Sequence, residues 1–300
     1  HGVGKSSLLK KAAQTWEKDH PVHFISLQDR CISSTELISR LASALNISAT
    51  TTNEFIQSLQ EMPSSVICID DFHRCMLRDV GGYDAIRTLL SIMQGVAQHH
   101  FWVCTFHLHA WIFLHSASTP VQLNIFRKEV HVKPLDFLEV KNWITTRCQE
   151  ANIQLDFSEI STMANKESLY RAEQAFWRLL TDLTKGNPSV IEKFWIDSMR
   201  KGEKEREVKI VLFSIPNEEI LEQLSDTEAF VLSYLLIHNE MTLKTLQRSL
   251  NVSISSLRNA SRNLLGLGLI ETVENNYKVN DEWWPIVERF LVKKRMIYLE

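Results

Sequence analysis

Lysine and serine directly after a glycine, at the head of a helical pattern, are the residues of this chain best suited to chemistry. The opening run His1-Gly2-Val3-Gly4-Lys5-Ser6-Ser7 matches the second half of G-x-x-x-x-G-K-[ST]. In such a loop successive backbone N–H groups curl around a β-phosphate, the lysine reaches the β- and γ-phosphates, and the hydroxyl holds Mg²⁺. Gly2, Val3, Gly4, Lys5, Ser6 and Ser7 are therefore expected to cradle a nucleoside triphosphate, with Ser6 on the metal. The bland alternative is a glycine turn that caps an ordinary helix. The first glycine of the pattern would lie upstream of His1, so the chain reads as a fragment that lacks the strand feeding the loop.

A triphosphate site needs a second metal-binding group and a base, and the run Ser65-Val66-Ile67-Cys68-Ile69-Asp70-Asp71 offers both. A short apolar run suits a parallel strand buried on both faces. A carboxylate at its C-terminal end would sit beside the phosphate loop and hold Mg²⁺ through water. Asp70 takes that role. Asp71 follows as the group that polarises the attacking water, or else as a residue that merely caps a turn. A second apolar strand, Phe101–Phe106, presents Thr105 and His107 as polar candidates for the γ-phosphate, or as plain strand-end residues.

The elements that must position these groups follow from periodicity. Leu8, Leu9, Ala12, Ala13 and Trp16 share one helical face just after the loop. Such a helix aims its positive N-terminal dipole at the phosphates. Val22–Leu27 reads as a strand, Ser34–Leu45 and Asp84–Gln98 as helices, and Glu129–Val132 as a fifth strand. Strands alternating with helices predict an α/β fold with a doubly wound parallel sheet. Phe137–Ala151, Ser168–Thr184 and Pro188–Met199 read as helices, and the mixed-sign run 200–207 as a solvated hinge before an extended Val208–Phe213.

The partial phosphate loop, Ile69-Asp70-Asp71, the aromatic strand and Val132-Lys133-Pro134-Leu135 before a helix together resemble the AAA+ and STAND group of P-loop NTPases. Within that group the chain looks most like bacterial ATPases akin to replication initiators. The resemblance implies ATP and Mg²⁺ as ligands, ATP hydrolysis, and a switch that couples nucleotide state to a protein partner or to self-assembly; a DNA-binding initiator or regulator and a non-hydrolysing, nucleotide-bound signalling scaffold are the alternative readings. It places Arg127 as a finger toward a neighbouring subunit's γ-phosphate. It also likens Gly186-Asn187-Pro188 to the G-x-P motif, so that Pro188 would contact the nucleotide. Two departures, Asp71 in place of glutamate and no arginine after Pro188 in the lid, imply slow hydrolysis. The implied layout is a P-loop core over 1–135, a helical lid over 136–222 and a winged helix over 223–300.

Ser225, with Glu228 three positions on, signals a capping box opening a helix through His238. Two further helices, Thr242–Leu250 and Ser253–Leu265, precede a hairpin around Asn275-Asn276, and a helix closes the chain over 281–298. Three helices and a two-stranded wing resemble a winged helix. Residues 253–263 carry Ser, Asn and Arg groups able to touch phosphates and base edges of DNA. Only two cations lie in that helix, however, and the wing carries Glu271 and Glu274, whereas DNA affinity needs several neutralised phosphates. A lever or packing role is the competing reading of the module.

The chain is 44% hydrophobic and 23% charged, as an ordinary globular protein is, and a net charge of −3 supplies no global attraction to nucleic acid. Five cysteines, several within apolar strands, suit buried thiols in a reducing, cytoplasmic setting better than a disulfide framework. No apolar stretch reaches the twenty or so residues that a span needs, so a membrane could enter only through a segment upstream. The histidines 99, 100, 107 and 109, and Cys68/His73/Cys75, lack the paired spacing of a zinc site and read as strand and turn residues.

Overall fold

A computed structural model describes residues 2–116, 121, 123–161 and 165–298. In chain order, helix α1 spans Lys5–Trp16 and strand β1 Val22–Ser26. They are followed by α2 (Ser34–Leu45), α3 (Thr52–Glu61), β2 (Val66–Asp70), α4 (Asp84–Gly95), β3 (Phe101–Cys104) and α5 (Leu108–His115). Then come α6 (Phe137–Glu150), β4 (Gln154–Asp156), α7 (Lys166–Thr184), α8 (Pro188–Ser198), β5 (Met199–Lys201), β6 (Glu207–Ile210) and the short α9 (Glu219–Glu222). The last stretch holds α10 (Asp226–His238), β7 (Glu240–Thr242), α11 (Leu243–Leu250), α12 (Ile254–Gly266), β8 (Ile270–Val273), β9 (Asn276–Val279) and α13 (Trp284–Lys293).

By internal contacts the chain forms two units. The larger comprises residues 4–130, 225–279 and 291–300; the smaller comprises 1–3, 131–224 and 280–290.

The larger unit is built on a parallel sheet in the order β1-β2-β3, with Val22 opposite Val66 and Ile67 opposite Trp102. Every residue of β2 is buried, as expected of a central parallel strand covered on both faces. Leu9 and Ala13 of α1 pack on Val66 and Cys68. The mixed α/β class and the parallel sheet agree with the sequence pattern. Helix α3 has no counterpart among the expected elements. Its signal is a capping box in which Thr51 accepts from the Glu54 N–H while the Glu54 carboxylate accepts from the Thr51 N–H.

The same unit contains α10, α11 and α12 with the antiparallel sheet β7-β9-β8. The capping box at Ser225 and Glu228 forms as read, and Ser253 caps α12 through the Ser256 N–H. Glu228 also accepts from Asn263 at 2.6 Å. That bond ties the start of α10 to α12 and draws one DNA-contact candidate into internal structure.

The smaller unit has an apolar core of Val140, Ile144, Phe176, Trp177, Val190, Ile191, Phe194 and Phe213. Trp177 and Trp195 stack with ring centroids 5.4 Å apart. These aromatics therefore supply core area, as large rings in amphipathic helices usually do.

Two expectations fail here. Residues 129–132 form no strand; Val130 is 73% exposed, so alternation of apolar residues brings no burial that would favour pairing. The charged run 200–207 is no loose hinge either. Met199–Lys201 pairs antiparallel with Glu207–Ile210, and residues 202–206 make the turn. Charged side chains on exposed positions hid a backbone ladder that does not depend on them. All five cysteines are free thiols. Among the described residues no helix is long and apolar enough to cross a membrane.

Candidate phosphate and metal site

Gly4 stands immediately before α1 with φ 89°, a left-handed conformation that glycine adopts without steric cost. This lets the chain turn from the loop straight into a helix whose first residues are Lys5 and Ser6. The Ser6 hydroxyl then donates to Asp70 Oδ1 at 3.1 Å. The partners lie 64 positions apart and meet only because α1 packs on β2.

Asp70 ends β2 and is 4% exposed. Its Oδ1 also accepts from the Thr105 hydroxyl at 2.6 Å. Thr105 in turn accepts from the Asp71 N–H at 2.9 Å. A threonine hydroxyl has one proton, and here it goes to Asp70. As placed, Thr105 locks the two aspartates in register; reaching a γ-phosphate with that proton would mean releasing Asp70.

Asp71 adopts φ 59°, in the left-handed region that aspartate tolerates better than bulkier residues. Three main-chain bonds hold the turn around it: Phe72 N–H to Thr105 O at 2.9 Å, Thr105 N–H to Ile69 O at 3.0 Å, and Arg74 N–H to Asp71 O at 2.9 Å. The short 3₁₀ turn that follows, Phe72–Cys75, opens without a cap bond from the Asp71 side chain. The turn-cap reading thus loses its characteristic contact.

The Lys5 ammonium is held below its usual range by burial, against the opposing pull of the Asp71 and Asp70 carboxylates. A half-buried cation whose charge burial disfavours gains from an anionic ligand beside it. Ser6 and Asp70 together present hard oxygen donors of the kind Mg²⁺ prefers. The residue set fits that ion.

The other candidates fall elsewhere. His107 is buried, its ring 5.8 Å from that of His73 and 5.6 Å from that of His109. Arg127 is exposed. Ser7 is exposed on α1. His1 lies outside the described residues. Gly2 and Val3 belong to the smaller unit, where Gly2 abuts the start of α8; a Cβ there would meet Ser189 Oγ at 1.9 Å and Asn187 Oδ1 at 2.8 Å. Pro188 occupies the first turn of α8, with Asn187 capping it through the Ser189 N–H. His100 is a structural group, bonded to Ser65 Oγ at 2.9 Å and to Leu59 O at 2.8 Å.

Arg74, which the sequence reading passes over, stands against Asp71. Its Nε is 3.5 Å from Asp71 Oδ2 and its Nη2 is 2.7 Å from Glu240 Oε1. The available signal was a cation four positions after Asp70, inside a tight turn; nothing local pointed to Glu240.

Residues 1–123 match a family model described as ATPase family associated with various cellular activities (AAA). That segment holds Lys5, Ser6, Asp70, Asp71 and Thr105. No curated protein sequence matches the chain. Among solved structures the chain is similar to the Walker-type ATPase paby2304 of Pyrococcus abyssi, at 16% identity and TM-score 0.43, covering 97% of this chain and 89% of that one. It is also similar to AMPPCP-bound DnaA from Aquifex aeolicus, at 14% identity and TM-score 0.34, covering 88% and 79%. A third is the Drosophila ORC bound to GC-rich DNA and Cdc6, at 11% identity and TM-score 0.26, covering 97% and 82%. At these values the likenesses say nothing of activity or partner.

Proposed function

We propose that this chain is an AAA+/STAND-type switch ATPase that binds ATP with Mg²⁺ and hydrolyses it slowly to ADP and phosphate. The observation that carries the reading is the hydrogen-bonded line Ser6–Asp70–Thr105–Asp71, with Lys5 opening the same helix as Ser6. Lys5 binds the β- and γ-phosphates, and the N–H groups at the start of α1 add the helix dipole. Ser6 and Asp70 would hold Mg²⁺, which when bound neutralises charge on the phosphate oxygens. Asp71 accepts the proton of a water that attacks the γ-phosphorus as the bond to the β-bridging oxygen breaks. An aspartate is one methylene shorter than the glutamate common at this position, so its approach to that water is longer and turnover slower. Arg127, exposed, is available to a second copy of the chain. Domain roles of lid for 136–222 and winged helix for 223–300 belong to this same proposal, with nucleotide state passed to a protein partner through them.

Lys5→Ala tests it. ATP binding by the full chain should fall by at least tenfold, the equivalent of about 1.4 kcal/mol. Equal ATP affinity of Lys5→Ala and the unaltered chain would reject the site.

A second reading, DNA binding through 253–263, is favoured by one observation: Ser255, Ser256, Arg258, Asn259 and Arg262 are all exposed on α12. Opposed to it, Lys278 of the wing is paired with Glu271 at 2.8 Å. Filter binding of duplex DNA across a salt series separates the readings. Sub-micromolar binding that weakens steeply with salt and is lost in Arg258→Ala/Arg262→Ala would install DNA as the partner.

A further inference from the structure

We infer that Arg74 is a positioning residue for Asp71, and that Glu240 governs its hold. The inference rests on the proposed reading of Asp71 as the group that takes the water's proton.

Arg74 lies within the 3₁₀ turn that follows Asp71, and its guanidinium stands near three acceptors, with Nε too far from Asp71 for a hydrogen bond. Nε faces Asp71 Oδ2 at 3.5 Å, Nη2 pairs with Glu240 Oε1 at 2.7 Å, and Nη1 donates to the Gln28 carbonyl. The Arg74 and Glu240 side chains are 15% and 19% exposed. A charge-assisted contact of 2.7 Å shielded to this degree holds geometry far better than an open surface pair does. The planar fork cannot turn toward one partner without leaving another.

Glu240 is itself pinned. It opens β7 after α10, and its main-chain carbonyl accepts from Arg30 Nη2 at 3.1 Å. Arg30 also donates to the His238 carbonyl at 2.9 Å and to the Met76 carbonyl at 2.6 Å. A half-buried arginine thus ties the junction of α10 and β7 to the segment just past the Asp70-Asp71 turn. Glu240 is therefore delivered to Arg74 by the fold, more than two hundred positions from Arg30 in sequence.

The consequence is a division of one cation between two carboxylates. With Glu240 in place, Arg74 is shared between two carboxylates and stands 3.5 Å from Asp71 Oδ2. Without the Glu240 charge, the guanidinium shifts toward Asp71 and moves its carboxylate from the place where it meets the water. Movement of the α10–β7 junction, wherever a partner of this module caused it, would act on turnover through the same pair.

The test is steady-state ATP turnover, ATP affinity and thermal midpoint of the full chain carrying Glu240→Gln, Glu240→Asp, Arg74→Lys and Asp71→Asn, alone and combined. Glu240→Gln should lower kcat about tenfold with ATP affinity unchanged, well within what placement of a proton acceptor controls. Glu240→Asp should restore part of the loss. In the Asp71→Asn background Glu240→Gln should change nothing further, since the group it acts through is gone. Arg74→Lys, which keeps the charge and loses the fork, should also lower kcat, and it serves if Glu240→Gln does not fold. Unchanged kcat in a folded Glu240→Gln overturns the inference. So do an equal loss in the Asp71→Asn background and a fall in ATP affinity in place of kcat. A chain that binds ATP without turning it over overturns the inference alone and leaves the nucleotide site standing. A chain that binds no ATP removes the proposed function and this inference with it.

Discussion

Ser6 Oγ lies 3.1 Å from Asp70 Oδ1 across 64 positions of chain. One residue begins the first helix and the other ends the buried middle strand, and they meet at the sheet's C-terminal edge. Open α/β sheets bind their ligands there, because strand ends and helix starts converge at that edge. The proposed mechanism begins with that pair.

Removing the Asp70 carboxylate should cost stability as well as metal affinity. Asp70→Ala strands the Ser6 and Thr105 hydroxyls, and a buried polar group left without its partner costs about 1–3 kcal/mol. Asp70→Asn keeps an acceptor oxygen for both hydroxyls, so its thermal midpoint should stay near that of the unaltered chain. Its gain in midpoint on adding Mg²⁺ and ATP should nevertheless vanish, because the anionic donor is gone. Thermal melts of both variants with and without Mg·ATP check the two halves separately.

Acid should destabilise the larger unit through two histidines. His73 and His238 are held well below the ordinary value of 6.5, chiefly by burial and next by Arg30. The folded chain keeps both rings neutral, whereas the unfolded chain protonates them as pH falls below about 6.5. Stability is therefore fully present above that pH and declines below it, by at most about 1.4 kcal/mol per unit for each ring. Unfolding in denaturant between pH 7.5 and 5 should show the decline, and His238→Gln should make it shallower. His238 Nε2 accepts from the Arg78 N–H, a bond that a glutamine oxygen can replace. A slope unaltered by the substitution would place the acid sensitivity elsewhere.

Two glycines should respond in opposite directions. Gly186 has φ +67°, and a Cβ on it would lie 2.0 Å from the Leu135 carbonyl oxygen. Gly186→Ala should therefore destabilise the smaller unit by at least about 2 kcal/mol, the left-handed penalty plus the displaced backbone. Gly266 ends α12 with nothing within 4 Å of such a Cβ. Gly266→Ala should be neutral or stabilise by about 0.5–1 kcal/mol, through the lower entropy of the unfolded chain. Denaturant midpoints for the two variants check the contrast.

The residues themselves announced the elements wherever a local rule sufficed. The apolar run through Ile69 became β2, and Ser225 with Glu228 became the capping box of α10. Gly4-Lys5-Ser6 and Asp70-Asp71 were legible as halves of one site because both sit where a strand and a helix meet. Local rules failed where backbone pairing ran against side-chain character. Charged residues 200–207 hid the β5–β6 ladder, and apolar Val130 with its neighbours suggested a strand that does not form.

Residue types and spacing alone determined the α/β class, the buried strand that ends at Asp70 and the Ser225 capping box, since each depends on groups within a few positions or on a 2.0 or 3.6 residue period. Tertiary structure alone decided that the Thr105 proton goes to Asp70, that Asn263 serves Glu228, and that Arg74 divides itself between Asp71 and Glu240. Apart from the Arg74–Asp71 contact, those pairings join residues 35 to 166 positions apart, the longest being Arg74 with Glu240. Which of many carboxylates a given cation meets is settled by how helices pack on the sheet, and no periodicity along the chain carries that information.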